Sequence, residues 1–200
     1  MLDEGGVEGL NMRAVAERLG TGPASLYAHF AGKDELLAAM IDRLAADLPI
    51  PEVGNGPWQE QFKALMRGMR RALGAHRDIA SAALGTIPTG ENALVMINGL
   101  LGVLREAGLP DTVIAYAVDI VPLYVVATAY EESLYALRDD RGDARAQFTA
   151  ELRRYWQSLP VDRFPHIVEL AVPLTSQDEE DDRFEFGLDA LIRGIETMKG

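Results

Sequence analysis

The chain has 200 residues, a hydrophobic fraction of 48% and no cysteine. That apolar content excludes a disordered chain, and the lack of thiols excludes disulfides, zinc–thiolate sites and iron–sulfur clusters. A net charge of −12 argues against a broad nucleic-acid surface, and residues 1–48 carry four basic groups (Arg13, Arg18, Lys33, Arg43) against eight acidic ones. Met1 leads directly into Leu2, Asp3 and Glu4, with neither the basic segment nor the apolar core of a secretory signal, so the expected compartment is the cytoplasm.

Helical periodicity runs through the chain and no strand alternation competes with it, so the expected fold class is all-α. Met12, Val15, Ala16 and Leu19 share one helix face, with Asn11 as N-cap and Gly20 as stop. A short second helix is expected from about Pro23 to His29, since proline suits a first helical turn. The next helix carries Leu36, Leu37, Met40, Ile41, Leu44 and Leu48 on one stripe, with Asp34 and Glu35 at its positive end. Residues 49–57 (Pro-Ile-Pro-Glu-Val-Gly-Asn-Gly-Pro) break any helix and mark the expected boundary between domains at 1–48 and 57–200.

Beyond it, Trp58, Phe62, Leu65, Met66, Met69 and Leu73 define an amphipathic helix, and Gly85 to Gly90 a loop. A helix from about Glu91 carries Leu94, Ile97, Leu101 and Leu104 and ends at Gly108 and Pro110. Val113 to Tyr130 approaches the length of a membrane span but contains Asp119 and Pro122 and has no basic anchor, so a buried helix is expected and no membrane partner. Another helix holds Phe148, Leu152, Tyr155 and Trp156. The acidic run Asp178–Asp182 then precedes a last helix with Phe184, Leu188, Leu191, Ile192 and Ile195 on its apolar face.

The string from Gly9 to Leu37 holds an amphipathic helix, a tight turn at Gly20 and a short helix with small residues on one face. A helix-turn-helix needs this: the first helix braces the unit, and the second offers its N-terminal residues to the major groove. Ala24 and Ser25 are short enough for close approach, Ser25 suits a base or phosphate, and Ala24 a thymine methyl. The amides near Thr21 and Gly22 favour a phosphate.

The same string resembles the DNA-binding signature of the tetracycline-repressor family. The resemblance lies in Met12-Arg13-x-Val15-Ala16, Leu19-Gly20, Leu26-Tyr27-x-His29-Phe30 and Gly32-Lys33-Asp34-Glu35-Leu36-Leu37, about thirty residues in all. It implies DNA contacts from Arg13, from Thr21, Gly22, Pro23, Ala24 and Ser25 at the recognition-helix start, and from Tyr27, His29 and Lys33. Tyr27 and Phe30 also have a plain alternative as packing residues, and His29 as a packing or capping residue. The family has a complete helix before the position of Leu2, so the first helix is expected to be incomplete here: either the true start lies upstream or the domain is weakened, and the first is favoured because a truncated three-helix core would expose Val15, Leu19 and Leu26.

The resemblance further implies an effector-binding and dimerisation bundle over 57–200, a homodimer, a near-palindromic double-stranded DNA operator and a small-molecule effector of unread identity. Repression is the family default. Candidate pocket residues are Phe62, Met66, Met69, Met96, Tyr116, Tyr124 and Tyr130, which combine aromatic faces, thioethers and hydroxyls. Surplus apolar surface near Val113–Tyr130 and Phe184–Ile195 is the expected dimer interface.

Enzyme chemistry has little support. There is no thiol nucleophile and no HExxH, His29, His76 and His166 are far apart, and the Asp178–Asp182 run lacks the glycine and spacing of a calcium loop. No catalytic residue, metal or cofactor is expected. The competing readings are a helical ligand-binding protein that has lost DNA binding and, further off, a metabolic enzyme.

Overall fold

The computed structural model describes residues 2–76, 78–138, 144–176 and 180–199. Asp178 and Glu179, part of the acidic run, lie outside them. Among the described residues the chain forms eleven helices and no strands. They are α1 (Leu2–Gly9), α2 (Met12–Arg18), α3 (Pro23–Tyr27), α4 (Lys33–Ala45), α5 (Trp58–Gly74), α6 (Ile79–Leu84), α7 (Glu91–Glu106), α8 (Asp111–Arg138), α9 (Ala144–Gln157), α10 (Pro165–Leu174) and α11 (Glu180–Thr197). Two compact units result, one of Met1–Ser133 with Leu188–Gly200 and one of Leu134–Gly187.

The first unit is built around helices whose caps are written into the chain. The Asn11 side chain accepts a hydrogen bond from the Ala14 N–H at 2.9 Å, which satisfies one of the free donors at the start of α2. At its other end, Gly20 adopts φ 67°. The Gly20 N–H then donates to the Glu17 carbonyl and the Thr21 N–H to the Ala16 carbonyl, the paired bonds of a Schellman cap. This tight stop turns the chain so that Pro23 opens α3 without forfeiting a needed N–H.

Leu10, Met12, Ala16, Leu26, Leu36 and Leu37 are buried together with Leu73, Ile79, Ala80, Val126 and Ala129. The core of the first four helices therefore continues into α5, α6 and α8 without a polar break. Leu26 is buried and Val15 partly buried in it, while Leu19 is 67% exposed. Of the three residues that a truncated core would expose, Leu26 and Val15 are covered and Leu19 is not. α1 runs through a break at Gly6 (φ 66°), and Val7 packs on this core.

α8 uses one face as a core ridge: Ile114, Ala117, Val121, Val125 and Ala129 are buried, while Tyr116, Asp119, Ile120 and Leu123 are exposed. A buried helix face fits the expectation for this apolar segment. α5 is tied to α8 by Arg70, whose Nε and Nη2 donate to Glu132 Oε1 at 3.1 and 2.8 Å. It is tied to α11 by Lys63, 2.6 Å from Asp189 Oδ1. The hydrogen bond from Lys63 holds the Asp189 carboxyl below its ordinary value. That tie is present above the ordinary carboxylate range and is lost as the pH falls through the lowered value.

In the second unit α9 and α10 pack together, and Arg153 donates to the Thr175 hydroxyl and carbonyl, both at 2.7 Å. α6 and α10 are additions to the helices expected from the sequence.

The segment between α4 and α5 is a packed strut. A Cβ on Gly68 would lie 3.0 Å from the Pro49 ring, one on Gly99 2.6 Å from the Pro51 carbonyl oxygen, and one on Gly102 3.3 Å from Val53. Three bare backbones thus form the bed on which residues 49–53 lie. Replacing Gly99 by Ala pushes the strut away and lowers stability by about 1–3 kcal/mol. Gly194→Ala meets nothing within 4 Å on α11 and raises stability by up to ~1 kcal/mol through helix propensity. Thermal denaturation of the two variants should give Tm changes of opposite sign.

A candidate DNA-binding helix and a candidate cavity sharing one helix

Two features stand out, and α4 belongs to both. The first is the outer surface of α2, α3 and the start of α4. Leu26 points α3 inward, which leaves Pro23, Ala24, Ser25 and Tyr27 exposed on its other side. Gly22, His29 and Arg13 are also exposed, and Thr21 and Lys33 half-buried. None of the nine sequence-identified residues is consumed by the core. Tyr27, with packing as its plain alternative, is 52% exposed, whereas Phe30 packs against the core cluster. The first residue of α3 lacks a side-chain cap, since Gly22 precedes Pro23. Its free end is therefore bare backbone, which favours an anion.

The second feature is a cavity of about 520 Å³ in the first unit, a size typical of small-molecule sites. α4 supplies one wall through Ala38, Ile41, Asp42 and Ala45. Met69 of α5, the α6–α7 loop from Thr86 to Gly90, Met96 and Ile97 of α7, and Val118, Asp119 and Pro122 of α8 supply the rest.

Of the seven pocket residues named from sequence, Met69 and Met96 line this cavity. Phe62 and Met66 are fully buried in the helix packing and Tyr130 packs on the core cluster. Tyr124 is half-buried and Tyr116 is 65% exposed; neither lines the cavity. The α4 wall and the loop went unnamed because periodicity identifies an apolar face without saying whether a helix or a void lies opposite.

A hydrogen-bonded tie runs along the cavity edge. Asp42 on α4 accepts from the Ala93 N–H at 2.9 Å and from the Asn92 side chain at 2.8 Å. It thereby caps the N-terminus of α7 from a different helix. The N-cap position of α7 is Gly90, which has no side chain to do this itself. A Cβ there would come within 2.2 Å of the Asp42 carboxyl, so the glycine is what lets α4 approach. A helix start with a bare glycine cap was the one sequence signal that a cap comes from elsewhere.

Surface left for a second copy is unevenly distributed. Leu188, Ile192 and Ile195 of α11 are buried within the single chain, and so is Phe184. The expected surplus on that helix is therefore spent internally, and Phe186 is its exposed apolar residue. Tyr116, Ile120 and Leu123 on α8 remain exposed, as do Leu170, Val172 and Leu174 on α10. No group of three or more potential metal ligands gathers among the described residues.

Removing the Asp42 carboxylate by Asp42→Ala leaves two donors at the α7 start without partners and costs about 1 kcal/mol. Hydrogen exchange should reveal it locally: the amide of Ala93 loses protection first, while those in the middle of α5 keep theirs.

Comparison with known proteins identifies the family. Residues 1–40 match the family described as bacterial regulatory proteins, tetR family, and residues 50–199 match the tetracyclin repressor-like C-terminal domain. The HTH-type transcriptional repressor DrrR1 of Streptomyces coeruleorubidus is 31% identical over 98% of this chain and 73% of its own. The class D tetracycline repressor protein of Escherichia coli is 28% identical over 99% and 85%. Among solved structures, ActR of Streptomyces coelicolor in complex with actinorhodin superimposes with a TM-score of 0.89 at 40% identity, over 100% of this chain and 92% of that one. Apo ActR gives 0.86 at 39% identity over the same shares. The chain belongs to the tetracycline-repressor family of DNA-binding transcriptional regulators.

Proposed function

We propose that the chain is a homodimeric repressor that holds a near-palindromic double-stranded operator until a small molecule enters the cavity beside α4. The observation that carries this reading is the double membership of α4. Its first residue, Lys33, lies just after the recognition helix, and its Ala38, Ile41, Asp42 and Ala45 wall the cavity. A ligand that changes the packing of α4 changes where α3 can reach. Coupling follows only if the ligand binds one α4 position better than the other, since equal affinity for both shifts nothing.

In this reading residues 1–48 read DNA and residues 57–200 bind the partner and, together with the α4 wall, the effector. Arg13 and Lys33 contact phosphates, Thr21 and Gly22 present amides to one, and Pro23, Ala24 and Ser25 approach base edges. Tyr27 and His29 contact the backbone. Met69 and Met96 contact the effector. Exposed Tyr116 and Ile120 on α8 supply surface for a second copy. Two copies place two recognition helices in successive major grooves, about 34–36 Å apart or somewhat more. Function in the cytoplasm without metal, cofactor or turnover completes the proposal. The relative ActR binds actinorhodin, which supports a small-molecule effector here without identifying it.

Selection of bound fragments from the source genome, followed by gel shift, tests the reading. A near-palindrome should be recovered, and sedimentation should give a dimer at micromolar concentration; a monomer that binds no fragment overturns it. Arg13→Ala and Lys33→Ala should each weaken operator binding and reduce the slope of log affinity against log salt by about 1, with the dimer intact.

A further inference from the structure

The polar chemistry of the cavity has one sign. Its charged lining residues are Glu35, Asp42 and Asp119, and among the described residues no Lys, Arg or His lines it. Two of the three carboxylates are already engaged. Asp42 accepts from Ala93 and Asn92, and Glu35 accepts from the Ala31 N–H ahead of α4. Asp119 is different: it lies exposed at the open edge of the cavity, and among the described residues it has no hydrogen-bond or ion-pair partner. It is also the single charge between Val113 and Tyr130.

A second observation points the same way. Pro122, inside α8, has no N–H to give to the carbonyl four residues earlier, that of Val118. Val118, Asp119 and Pro122 all line the cavity. The α8 wall therefore combines a free carboxylate with a carbonyl deprived of its helical donor. The Thr86 hydroxyl, also in the lining, donates its proton to the Ala82 carbonyl at 2.8 Å, so what it has left to offer is an acceptor oxygen. Acceptors and negative charge surround an apolar space.

We infer that the cavity takes an apolar body bearing a protonated amine, with the Asp119 carboxylate as its counter-charge. An ammonium supplies both things the α8 wall lacks, a positive charge for Asp119 and N–H donors for the Val118 carbonyl. A carboxylate or sulfonate would meet three acidic side chains and no cation. The inference rests on the cavity being the effector site and adds the sign of the ligand's charge.

The test uses the full-length protein and three probes with one ring system: 1-pyrenemethylamine (cationic), 1-pyrenemethanol (neutral) and 1-pyrenecarboxylate (anionic), followed by fluorescence. Wild type should bind the amine most tightly and the carboxylate least. Asp119→Asn should lower amine affinity about two- to fivefold, since an ion pair to an exposed carboxylate is screened by solvent, and change the alcohol by less than twofold. Asp119→Lys should reverse the order of amine and carboxylate. Circular dichroism confirms that the variants fold, and Ala39→Trp, which places bulk in the cavity, should block all three probes. If the carboxylate binds wild type at least as tightly as the amine, or Asp119→Lys leaves the order unchanged, the charge inference fails while the cavity stands. If no probe binds, or Ala39→Trp blocks none, the cavity reading fails and takes the inference with it.

Discussion

The hydrogen bonds from the start of α7 to Asp42 are the constraint on which the rest turns. α4 is anchored at its first half by Leu36 and Leu37 in the core shared with α2 and α3, and further along by this carboxylate. A cap is worth on the order of 1 kcal/mol, and coupling between distant sites in proteins is typically 1–3 kcal/mol. In the proposed switch a tie of this size biases the position of α4 and lies within what a ligand of modest affinity overcomes. Because Asp42 itself lines the cavity, the bond that fixes the helix is within reach of whatever enters.

Electrostatics sharpen the consequence for DNA. With −12 net charge and few basic groups near α3, phosphate attraction per copy is small, and in the proposed dimer affinity comes from two copies engaging together. Such a regulator is sensitive to spacing. A ligand need not damage either recognition surface, because misaligning the pair removes the second contact.

Much of the DNA-binding half was legible in the chain because its signals are local. The Asn11 cap, the left-handed Gly20 and Pro23 at a helix start each declare themselves within four residues, and all three adopt the expected roles. The long amphipathic helices α5, α7 and α11 were legible by period. α6 and α10 were missed for physical reasons: six residues are too few to display a period, and α10 begins and nearly ends on proline. The cavity was harder still. Met66 has the same chemistry and helix as Met69, yet one fills the core and the other faces space. That difference depends on where α4 and the α6–α7 loop come to rest, and no spacing within α5 encodes it. The charge pattern was more accessible, since Asp119 and Pro122 stood out in an otherwise apolar run.

The strut between α4 and α5 has a consequence for how such proteins can be recombined. Proline-rich, glycine-punctuated connectors invite the view that the two halves are interchangeable cassettes. Here residues 49–53 are seated against Gly68, Gly99 and Gly102, so the connector and its bed form one unit. A chimaera joined at residue 48 or 57 would place a foreign connector on these glycines, or this connector on foreign side chains. Either would change the register of α4 before any effector arrived. The workable seam includes the connector together with the two helices that cradle it, and the inheritance of inducibility in hybrids should follow those three glycines rather than the recognition helix.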